Sequence, residues 1–342
     1  MATDVSFPSE RLNRLDRLYL AARMYYLERR SQEDIARVLG VSRSRVSRLV
    51  REAWESGIVE VRLHRPMPRS CEELADALAG KYGLKCCVVA DVPARPSGQP
   101  AEDVRHSIGR VAAQYLQATV KDGQLIGLGW GMTLYEMVNS LADVPRRQVT
   151  IVPLLGGVGQ ADPRYQVNDL AYRLAEAFGG TALYLHAPAY ADTEAAAEAI
   201  LQQRRVQQVV QLWSELDLAL VGIGPPVPQS PVLEMGTFDE TTLLELLRQK
   251  AAGDVCTHFF NVEGQPCRLS ISRRFIGIPL DTLKSLPLVV GVAGGPHKVP
   301  AIRLALEGKY VSGLITDRLT AWSLLADQEI LAEQREAGRG RG

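Results

Sequence analysis

The sequence predicts an α/β protein with two domains: an N-terminal winged helix–turn–helix domain, followed by a doubly wound, mostly parallel α/β domain. Two short amphipathic helical stretches surround Gly40, and the second is rich in arginine. Beyond them, seven short apolar runs alternate with amphipathic helical stretches, an order typical of parallel sheets covered by helices on both faces. The predicted boundaries are 1–65 and 66–330, with a flexible tail at 331–342.

The composition is that of a globular protein large enough for two domains. The chain has 342 residues, of which 46% are hydrophobic and 23% charged, and its formal net charge is zero. It has neither a run of about 18 apolar residues nor a basic start followed by an apolar segment. We therefore expect a cytoplasmic protein without a membrane span or a signal peptide.

The charge is unevenly distributed along the chain. Residues 1–65 contain 13 arginines, no lysine and 9 acidic residues, a net charge of +4 that the rest of the chain balances. A mildly basic N-terminal domain on a mildly acidic body indicates an electrostatic role for the N-terminus.

The N-terminal domain begins with a predicted helix over residues 15–27. Apolar residues at helical intervals predict one buried face, made by Leu15, Leu18, Tyr19, Ala22 and Tyr26. A second helix is predicted after Ser31, whose hydroxyl can accept the backbone N–H of Asp34, as in a capping box with Asp in place of Glu or Gln. Ala36 is small where two helices must cross closely, and Gly40 can end the helix with a positive φ.

A third helix, capped by Ser42, is predicted to have one anchored face and one polar face. At 100° per residue, Val46, Leu49 and Val50 form a single buried stripe. This pattern is typical of a helix–turn–helix, whose second helix enters the DNA major groove, where arginine can bridge guanine O6 and N7. A solvated helix in an ordinary bundle is the alternative. The predicted DNA-binding residues are Ser42, Arg43, Ser44, Ser47, Arg48 and Arg51, with Arg45 on the flank.

Residues 57–66 predict a short β-like run after the third helix ends at Gly57. A β-wing beside the recognition helix would bring Arg62 or Arg65 near a DNA phosphate. A linker strand with solvated arginines is the alternative that the sequence leaves open.

The larger domain has seven predicted strands. They are the apolar runs at 86–91, 124–130, 149–157, 181–188, 216–224, 286–295 and 311–317. Predicted helices lie at 71–83, 102–120, 131–142, 167–178, 192–213 and 299–308. Continuous apolar strands between helices indicate a parallel sheet that is buried on both faces. A further short strand pair is predicted around residues 261–264.

Glycine-rich loops follow several of these strands, at 127–133, 155–160, 221–225 and 292–298. The carboxyl ends of parallel strands form a ligand-binding edge, where glycine lets backbone N–H groups approach an anion. Thr133 adds a hydroxyl, and Lys298 stands just before a helix, where it can pair with a phosphate. Asp254 fits a contact with ligand hydroxyls and a turn equally well, whereas a turn is preferred for Glu263. We therefore predict an anionic ligand.

No cofactor or metal site is predicted. The loop at 127–133 lacks the dinucleotide fingerprint, and no P-loop spacing is present. The five cysteines and five histidines are scattered without metal-ligand spacing.

These motifs resemble those of the SorC family of bacterial sugar-responsive transcription regulators. In the N-terminal domain the resemblance rests on SQEDIARVLGVSRSRVSRLVREAWESGIVEV. In the larger domain it rests on GLGWGMTL, VPLLGG, LDLALVGIG, GDVCTHFFNVEGQ, IGIPLDTLKSLPLVVGVAGGPHKVPAIRLAL and VSGLITD. Together these motifs extend over most of the chain, from residue 12 to residue 326.

The resemblance implies a helix–turn–helix domain joined to a sugar-binding domain, with a fold like that of glucosamine-6-phosphate deaminase and ribose-5-phosphate isomerase. It also implies a phosphorylated sugar effector, operator DNA as a partner and commonly a homotetramer. Trp130 and Met132 fit a packing role as well. The family's effector-binding positions fall on Gly129, Trp130, Gly131, Met132, Thr133, Gly156, Gly157, Gln160, Asp254 and Lys298.

The sequence thus favours a transcription regulator, not an enzyme, whose operator binding a phosphorylated sugar controls. The alternative is a sugar-phosphate isomerase or deaminase with an appended DNA-binding domain. Such chemistry needs a carboxylate base near the sugar C1–C2 and usually a second acid. Asp254 is one candidate base, and the sequence shows no partner for it. The identity of the sugar, the operator, the sign of regulation, and dimer against tetramer stay open.

Overall fold

The computed structural model describes residues 13–28, 30–59, 70–92, 100–158, 165–226, 229–230 and 238–326. The chain divides into two units, Met1–Pro66 and Met67–Gly342. The tail that the sequence predicts at 331–342 lies outside the described residues.

Three helices build the N-terminal unit. They are α1 Arg14–Ala22, which continues as a π-helical turn over Arg23–Leu27, α2 Gln32–Leu39 and α3 Arg43–Glu55. The Ser31 hydroxyl accepts the backbone N–H of Asp34, and the Ser42 hydroxyl accepts that of Arg45. Gly40 ends α2 with a φ of 63°. The caps and the turn therefore hold α2 and α3 in the helix–turn–helix arrangement.

The core of this unit comes from one face of each helix. Its buried side chains include Leu18, Ala21, Ala22, Ile35, Val46, Leu49, Val50 and Ala53. The predicted burial of Leu15, Tyr19 and Tyr26 was wrong, since 63%, 55% and 42% of their surfaces are exposed. Three short helices offer too little surface to cover every apolar position of α1, because small units bury a smaller fraction of their chain.

The segment after α3 turns at Gly57, which has a positive φ of 75°. Ile58 and Val59 then pack against the helical core. The predicted wing residues Arg62 and Arg65 lie outside the described residues, which in this unit end at residue 59.

A seven-stranded parallel sheet forms the centre of the larger unit. Its strands are β1 Cys86–Ala90, β2 Leu125–Leu128, β3 Thr150–Pro153, β4 Thr181–Ala182, β5 Leu218–Val221, β8 Val289–Val292 and β9 Gly313–Asp317. The strand order is β1-β9-β8-β5-β2-β3-β4, and neighbouring strands pair in parallel. All seven apolar runs predicted as strands therefore lie in this sheet.

Helices alternate with these strands along the chain. They are α4 Cys71–Tyr82, α5 Pro100–Thr119, α6 Met132–Asn139, α7 Val167–Phe178, α8 Glu194–Leu201, α9 Arg204–Gln211, α10 Glu240–Arg248, α11 Leu280–Ser285, α12 Val299–Glu307 and α13 Arg318–Leu325. The single helix predicted over 192–213 is two helices, because Gln203 adopts an extended backbone and starts α9.

Helices cover both faces of the sheet. Side chains of α5, α6 and α7 join one apolar cluster with the sheet. Side chains of α4, α9, α11, α12 and α13 contribute to a second cluster. The central strands β5 and β8 are buried along their whole length, so the doubly wound α/β fold predicted from the sequence is confirmed. None of the described helices is long and apolar enough to cross a bilayer.

A separate antiparallel hairpin consists of β6 Ala251–Val255 and β7 His258–Asn261. The strand pair predicted around residues 261–264 is present as a short continuation, in which Phe260 bridges Pro266. A bridge between Asp254 and Gly224 joins the hairpin to the loop after β5. The hairpin thus brings Asp254 to the loops at the carboxyl edge of the sheet.

Candidate DNA interface and effector site

The two faces of α3 differ in burial. Val46, Leu49 and Val50 are at most 7% exposed and anchor the helix in the core. The periodicity of the sequence predicted this buried stripe, whereas contact with DNA stays a prediction. On the other face, Ser42, Arg43, Ser44, Arg45, Arg48 and Arg51 are exposed and Ser47 is half-buried.

An ion pair that the sequence analysis did not foresee restrains the start of this face. Arg43 Nε lies 2.9 Å from a carboxylate oxygen of Glu33 on α2. The two side chains are 70% and 56% exposed, so the pair contributes about 0–1 kcal/mol. Arg43 can therefore leave Glu33 for a phosphate or a base at small cost.

In the larger unit, β2 and β5 are neighbours in the sheet, and the strands that follow each of them along the chain lie on opposite sides of this pair. β3 and β4 lie beyond β2, whereas β8, β9 and β1 lie beyond β5. Doubly wound sheets bind ligands at such a switch point, outside the carboxyl ends of the strands. Gly129 follows β2 here, and its N–H donates to the Leu220 carbonyl of β5 at 2.8 Å.

The loop after β2 leads directly into the N-terminus of α6. Gly131 has a φ of 129° and provides no side chain to cap the helix. The first backbone N–H groups of α6 lack intrahelical partners, and the helix dipole favours an anion at this end. Thr133 is only 7% exposed, whereas Met132 is exposed.

Asp254 is a buried carboxylate on β6, with 4% of its surface exposed. Its Oδ1 accepts a hydrogen bond from Ser230 Oγ at 3.3 Å. Gly224 packs against it so closely that a Cβ at position 224 would overlap the carboxylate. Burial raises the pKa of Asp254 to about 6, and the charge of Lys298 opposes this rise.

Lys298 ends the short 3-10 turn Pro296–Lys298, which leads into α12. The turn starts at Gly295, whose N–H donates to the buried carboxylate of Asp317 at 2.8 Å. Burial lowers the pKa of Lys298 to about 8, and the Asp254 carboxylate opposes that change. The structure therefore brings together two of the predicted site residues, Asp254 and Lys298, from distant parts of the chain.

Two further basic side chains, His297 and Arg105, act electrostatically with Lys298, and the sequence analysis did not identify them. Burial, and after it the charges of Lys298 and Arg105, lower the pKa of His297. Arg105 also acts on Lys298. Arg105 lies in the second turn of α5, where no glycine-rich loop or other local sequence signal pointed to it. His297 lies in the glycine-rich loop at 292–298 but was not distinguished from the other scattered histidines.

The glycines after β3 have structural partners. The N–H of Gly156 donates to the Ile276 carbonyl at 2.9 Å, and that of Gly157 donates to the Ala187 carbonyl at 2.8 Å. A Cβ at position 156 would overlap the backbone of Pro188. Close packing accounts for glycine at position 156, and a contact of either glycine with the effector stays a prediction.

The remaining predicted positions differ in their surroundings. Trp130 is half-buried and packs against both the main core and an aromatic cluster that includes Tyr190 and Phe275. This supports the packing alternative for Trp130 without excluding a ligand contact. Gln160 lies outside the described residues.

Comparison with known proteins shows which family combines a helix–turn–helix like α2–α3 with a domain like the larger unit. Residues 67–326 match the family model of a sugar-binding domain, and residues 11–56 match that of region 4 of sigma-70. The chain is 33% identical over 307 residues to the deoxyribonucleoside regulator of Bacillus subtilis, covering 90% of this chain and 96% of that protein. It is 30% identical over 306 residues to the sorbitol operon regulator of Klebsiella pneumoniae, covering 89% and 96%. The chain belongs to the SorC family.

A solved structure agrees with this assignment. The crystal structure of the full-length sorbitol operon regulator SorC from Klebsiella pneumoniae matches with a TM-score of 0.69 at 29% identity, over 92% of this chain and all of that one. As a SorC-family member, this chain is a transcriptional regulator with a DNA-binding helix–turn–helix and a sugar-binding domain. The resemblance that the sequence motifs suggested is thereby confirmed.

Proposed function

We propose that this SorC-family regulator binds operator DNA through α3, and that a phosphorylated sugar bound in the larger unit controls this binding. The observation that carries the proposal is that Asp254 and Lys298 both lie at the carboxyl edge of the sheet, close enough for the charge of each to act on the pKa of the other. A sugar phosphate supplies an anion for the lysine and hydroxyl groups for the carboxylate.

The surroundings of Lys298 support a phosphate in particular. Arg105 and His297 add positive or protonatable groups beside it, and a divalent anion offsets the cost of holding several cations together. The N-terminus of α6 provides backbone donors for the same group. The proposed effector-binding residues are Gly129, Trp130, Gly131, Met132, Thr133, Gly156, Gly157, Gln160, Asp254 and Lys298, to which Arg105 is added.

For the DNA side, we propose that two copies of the N-terminal unit read two half-sites in a homo-oligomer. Half-sites are then expected about 34 Å, or a multiple of that distance, apart along the duplex. The regulator acts in the cytoplasm and binds its sugar without turning it over. The proposed DNA-binding residues are Ser42, Arg43, Ser44, Arg45, Ser47, Arg48 and Arg51.

A thermal-shift screen against matched pairs of phosphorylated and free sugars tests the effector proposal. We expect at least one phosphorylated sugar to raise the melting temperature of the wild-type chain while its free sugar does not. Lys298→Met should lose this shift, because the variant keeps most of the side-chain volume but lacks the charge that pairs with the phosphate.

Lys121→Met is the matched control, because Lys121 is exposed and precedes β2, at the opposite edge of the sheet. It should respond to the phosphorylated sugar like the wild type. Equal stabilisation by the free sugar, or an unchanged shift in Lys298→Met, would contradict the proposal.

A further inference from the structure

An exposed ion pair links the two helices of the helix–turn–helix at the edge of the proposed DNA-binding face. Glu33 is the second residue of α2, and Arg43 is the first residue of α3. The serine caps Ser31 and Ser42 and the turn at Gly40 fix where both helices begin and how they are joined. The backbone therefore keeps the carboxylate within reach of the guanidinium before any DNA is present.

The carboxylate of Glu33 approaches the guanidinium of Arg43 at Nε, at a distance of 2.9 Å. No other residue in the described part of the chain pairs with Arg43. Nε is the inner nitrogen, next to the aliphatic stem, whereas the terminal Nη groups carry the other N–H donors. Those donors can still bridge O6 and N7 of a guanine. The pair is weak enough to break, but a contact between Arg43 and a base does not require that it breaks.

The stability of the domain does not account for an acidic residue at position 33. The side chains of Arg43 and Glu33 are 70% and 56% exposed, and ion pairs between exposed side chains contribute little. The next residue, Asp34, already provides a carboxylate at the N-terminus of α2, where it accepts a hydrogen bond from Ser31 Oγ at 2.6 Å. Glu33 therefore supplies little to α2 that Asp34 does not.

The negative charge of Glu33 also opposes general binding to DNA. Residues 1–65 have a net charge of +4, and affinity for DNA of any sequence comes from cations that pair with phosphates. A carboxylate beside Arg43 repels phosphates and offsets the charge of the arginine. Binding surfaces gain specificity when they include an element that disfavours the wrong partner. Glu33 is thus a disadvantage for binding random DNA and an advantage where Arg43 must select one base.

We propose that Glu33 is a positioning residue for DNA recognition: it stays beside Arg43 on the operator and directs the terminal Nη groups of Arg43 toward one guanine. A long arginine side chain loses rotamer freedom when it docks, and a contact already made in the free protein reduces that loss. Glu33 acts through Arg43 and does not itself contact a base. This inference rests on the role in DNA binding proposed above for α3.

The test measures how the chain discriminates between single base pairs, by fluorescence anisotropy at one fixed salt concentration. The probes are an operator duplex selected from random DNA by the wild-type chain, a set of duplexes with one base pair of the operator replaced in each, and a random duplex. Arg43→Ala identifies the guanine, as the base pair at which this variant no longer discriminates.

Glu33→Ala should reduce discrimination at that base pair by about 3- to 10-fold, as the net contribution of one polar contact suggests, and at no other base pair. It should bind the random duplex at least as tightly as the wild type, because a negative charge has been removed. Retained binding to random DNA also shows that the variant domain is folded.

Glu33→Gln separates the contact from the charge, because the amide oxygen can still lie beside Arg43 Nε. It should keep most of the discrimination that Glu33→Ala loses, and bind random DNA as tightly as Glu33→Ala does. Adding Glu33→Ala to Arg43→Ala should have no further effect on discrimination, since two residues that act through one contact are not additive.

Glu52→Ala is the matched control. Glu52 forms another ion pair between helices, with Arg14 of α1 at 3.3 Å, and it lies about 180° around α3 from Arg43. This variant should discriminate at every base pair like the wild type.

A Glu33→Ala chain that discriminates like the wild type, or that loses discrimination equally at all base pairs, would overturn the inference and leave the proposed function standing. Wild-type discrimination in Arg43→Ala would overturn the inference together with the base contact of Arg43. If the wild type selects no operator, the proposed function itself fails, and the inference with it.

Discussion

The ionised carboxylate of Asp254 lowers the stability of the folded protein. It is buried beside Ser230 and Gly224, and burial raises its pKa from the ordinary value of 3.8 to about 6 although Lys298 opposes the rise. Because the folded state holds this proton more tightly than the unfolded state, the stability it contributes is fully present below pH 3.8. That stability is lost as the pH rises through about 6.

Removing the charge at this position should therefore stabilise the ligand-free protein at neutral pH. Asp254→Asn keeps the shape of the side chain and can still bond Ser230. We expect its free energy of unfolding at pH 7.5 to exceed that of the wild type by about 3 kcal/mol, since each unit of pKa shift corresponds to about 1.4 kcal/mol. The difference should shrink toward pH 4, as urea unfolding at the two pH values would show.

Asp91→Asn is the control for this prediction, because Asp91 is an exposed carboxylate paired with Arg318. It should show no comparable gain at pH 7.5. An Asp254→Asn variant that is equally destabilised at both pH values would mean that the carboxylate is needed for packing and that its ionisation is not the main cost.

Residues of the candidate site differ in how far the sequence could identify them. Lys298 and Thr133 follow glycine-rich strand ends, a local pattern with a general physical meaning. Arg105 and Ser230 have no such pattern. They join the site only because the fold packs α5 and a loop after β5 around one sheet edge.

At the scale of single elements, α3 is the clearest case in which a pattern determines a surface. Val46, Leu49 and Val50 bury one stripe, so the arginines are left on the other side. The same argument failed for α1, where Leu15 and Tyr19 are exposed. Periodicity shows which residues share a face of a helix. The area that the neighbouring helices cover decides how much of that face is buried.

Two positions of α3 should affect DNA binding differently. Arg48 lies on the outward face and Arg45 on its flank, and both are exposed. Arg48→Ala should cost about 1–3 kcal/mol of operator-binding free energy and relax the sequence preference, as expected for a base contact. Arg45→Ala should weaken binding to all sequences and lower the slope of log affinity against log salt by about one, as expected for a phosphate contact.

Fluorescence anisotropy over a salt series, with specific and random duplexes, separates these outcomes. Circular dichroism should show the same helix content in both variants, because neither side chain contributes to the core. An Arg48→Ala chain that binds its specific duplex like the wild type would remove α3 from the role of recognition helix.

In the larger unit, the sequence predicted the strands of the sheet better than the helices. The seven apolar runs were correct as strands, because a strand buried on both faces leaves a continuous apolar signal. The break between α8 and α9 was missed, because Gln203, which starts α9, carries no helix-breaking chemistry. α10, α11 and α13 were also missed in the sequence analysis.

At the scale of the whole molecule, strand order was beyond the reach of local patterns. The sequence does not reveal that β5 lies beside β2 or that β1 pairs with β9, because such pairings depend on contacts between distant segments. That order creates the switch point between β2 and β5, and hence the place of the candidate site. The family resemblance, and not the periodicity, indicated the fold of this domain and the positions of its effector site.

Regulation requires that the two units influence each other through the effector. A ligand shifts operator binding only if it binds the DNA-bound and DNA-free forms with different affinities, and couplings of this kind typically change affinity about 5- to 150-fold. Our central claim is that the charge of Lys298 is needed for this coupling and not for DNA binding itself.

The most direct test measures the affinity for an operator duplex, selected from random DNA by the wild-type chain, with and without the sugar phosphate that stabilises the chain. The wild-type dissociation constant should change at least about 5-fold on adding the sugar phosphate. Lys298→Met should bind the duplex like the ligand-free wild type and show no change. A wild type whose operator affinity is unaffected by a sugar phosphate that it binds, or a Lys298→Met chain that still responds, would contradict the account.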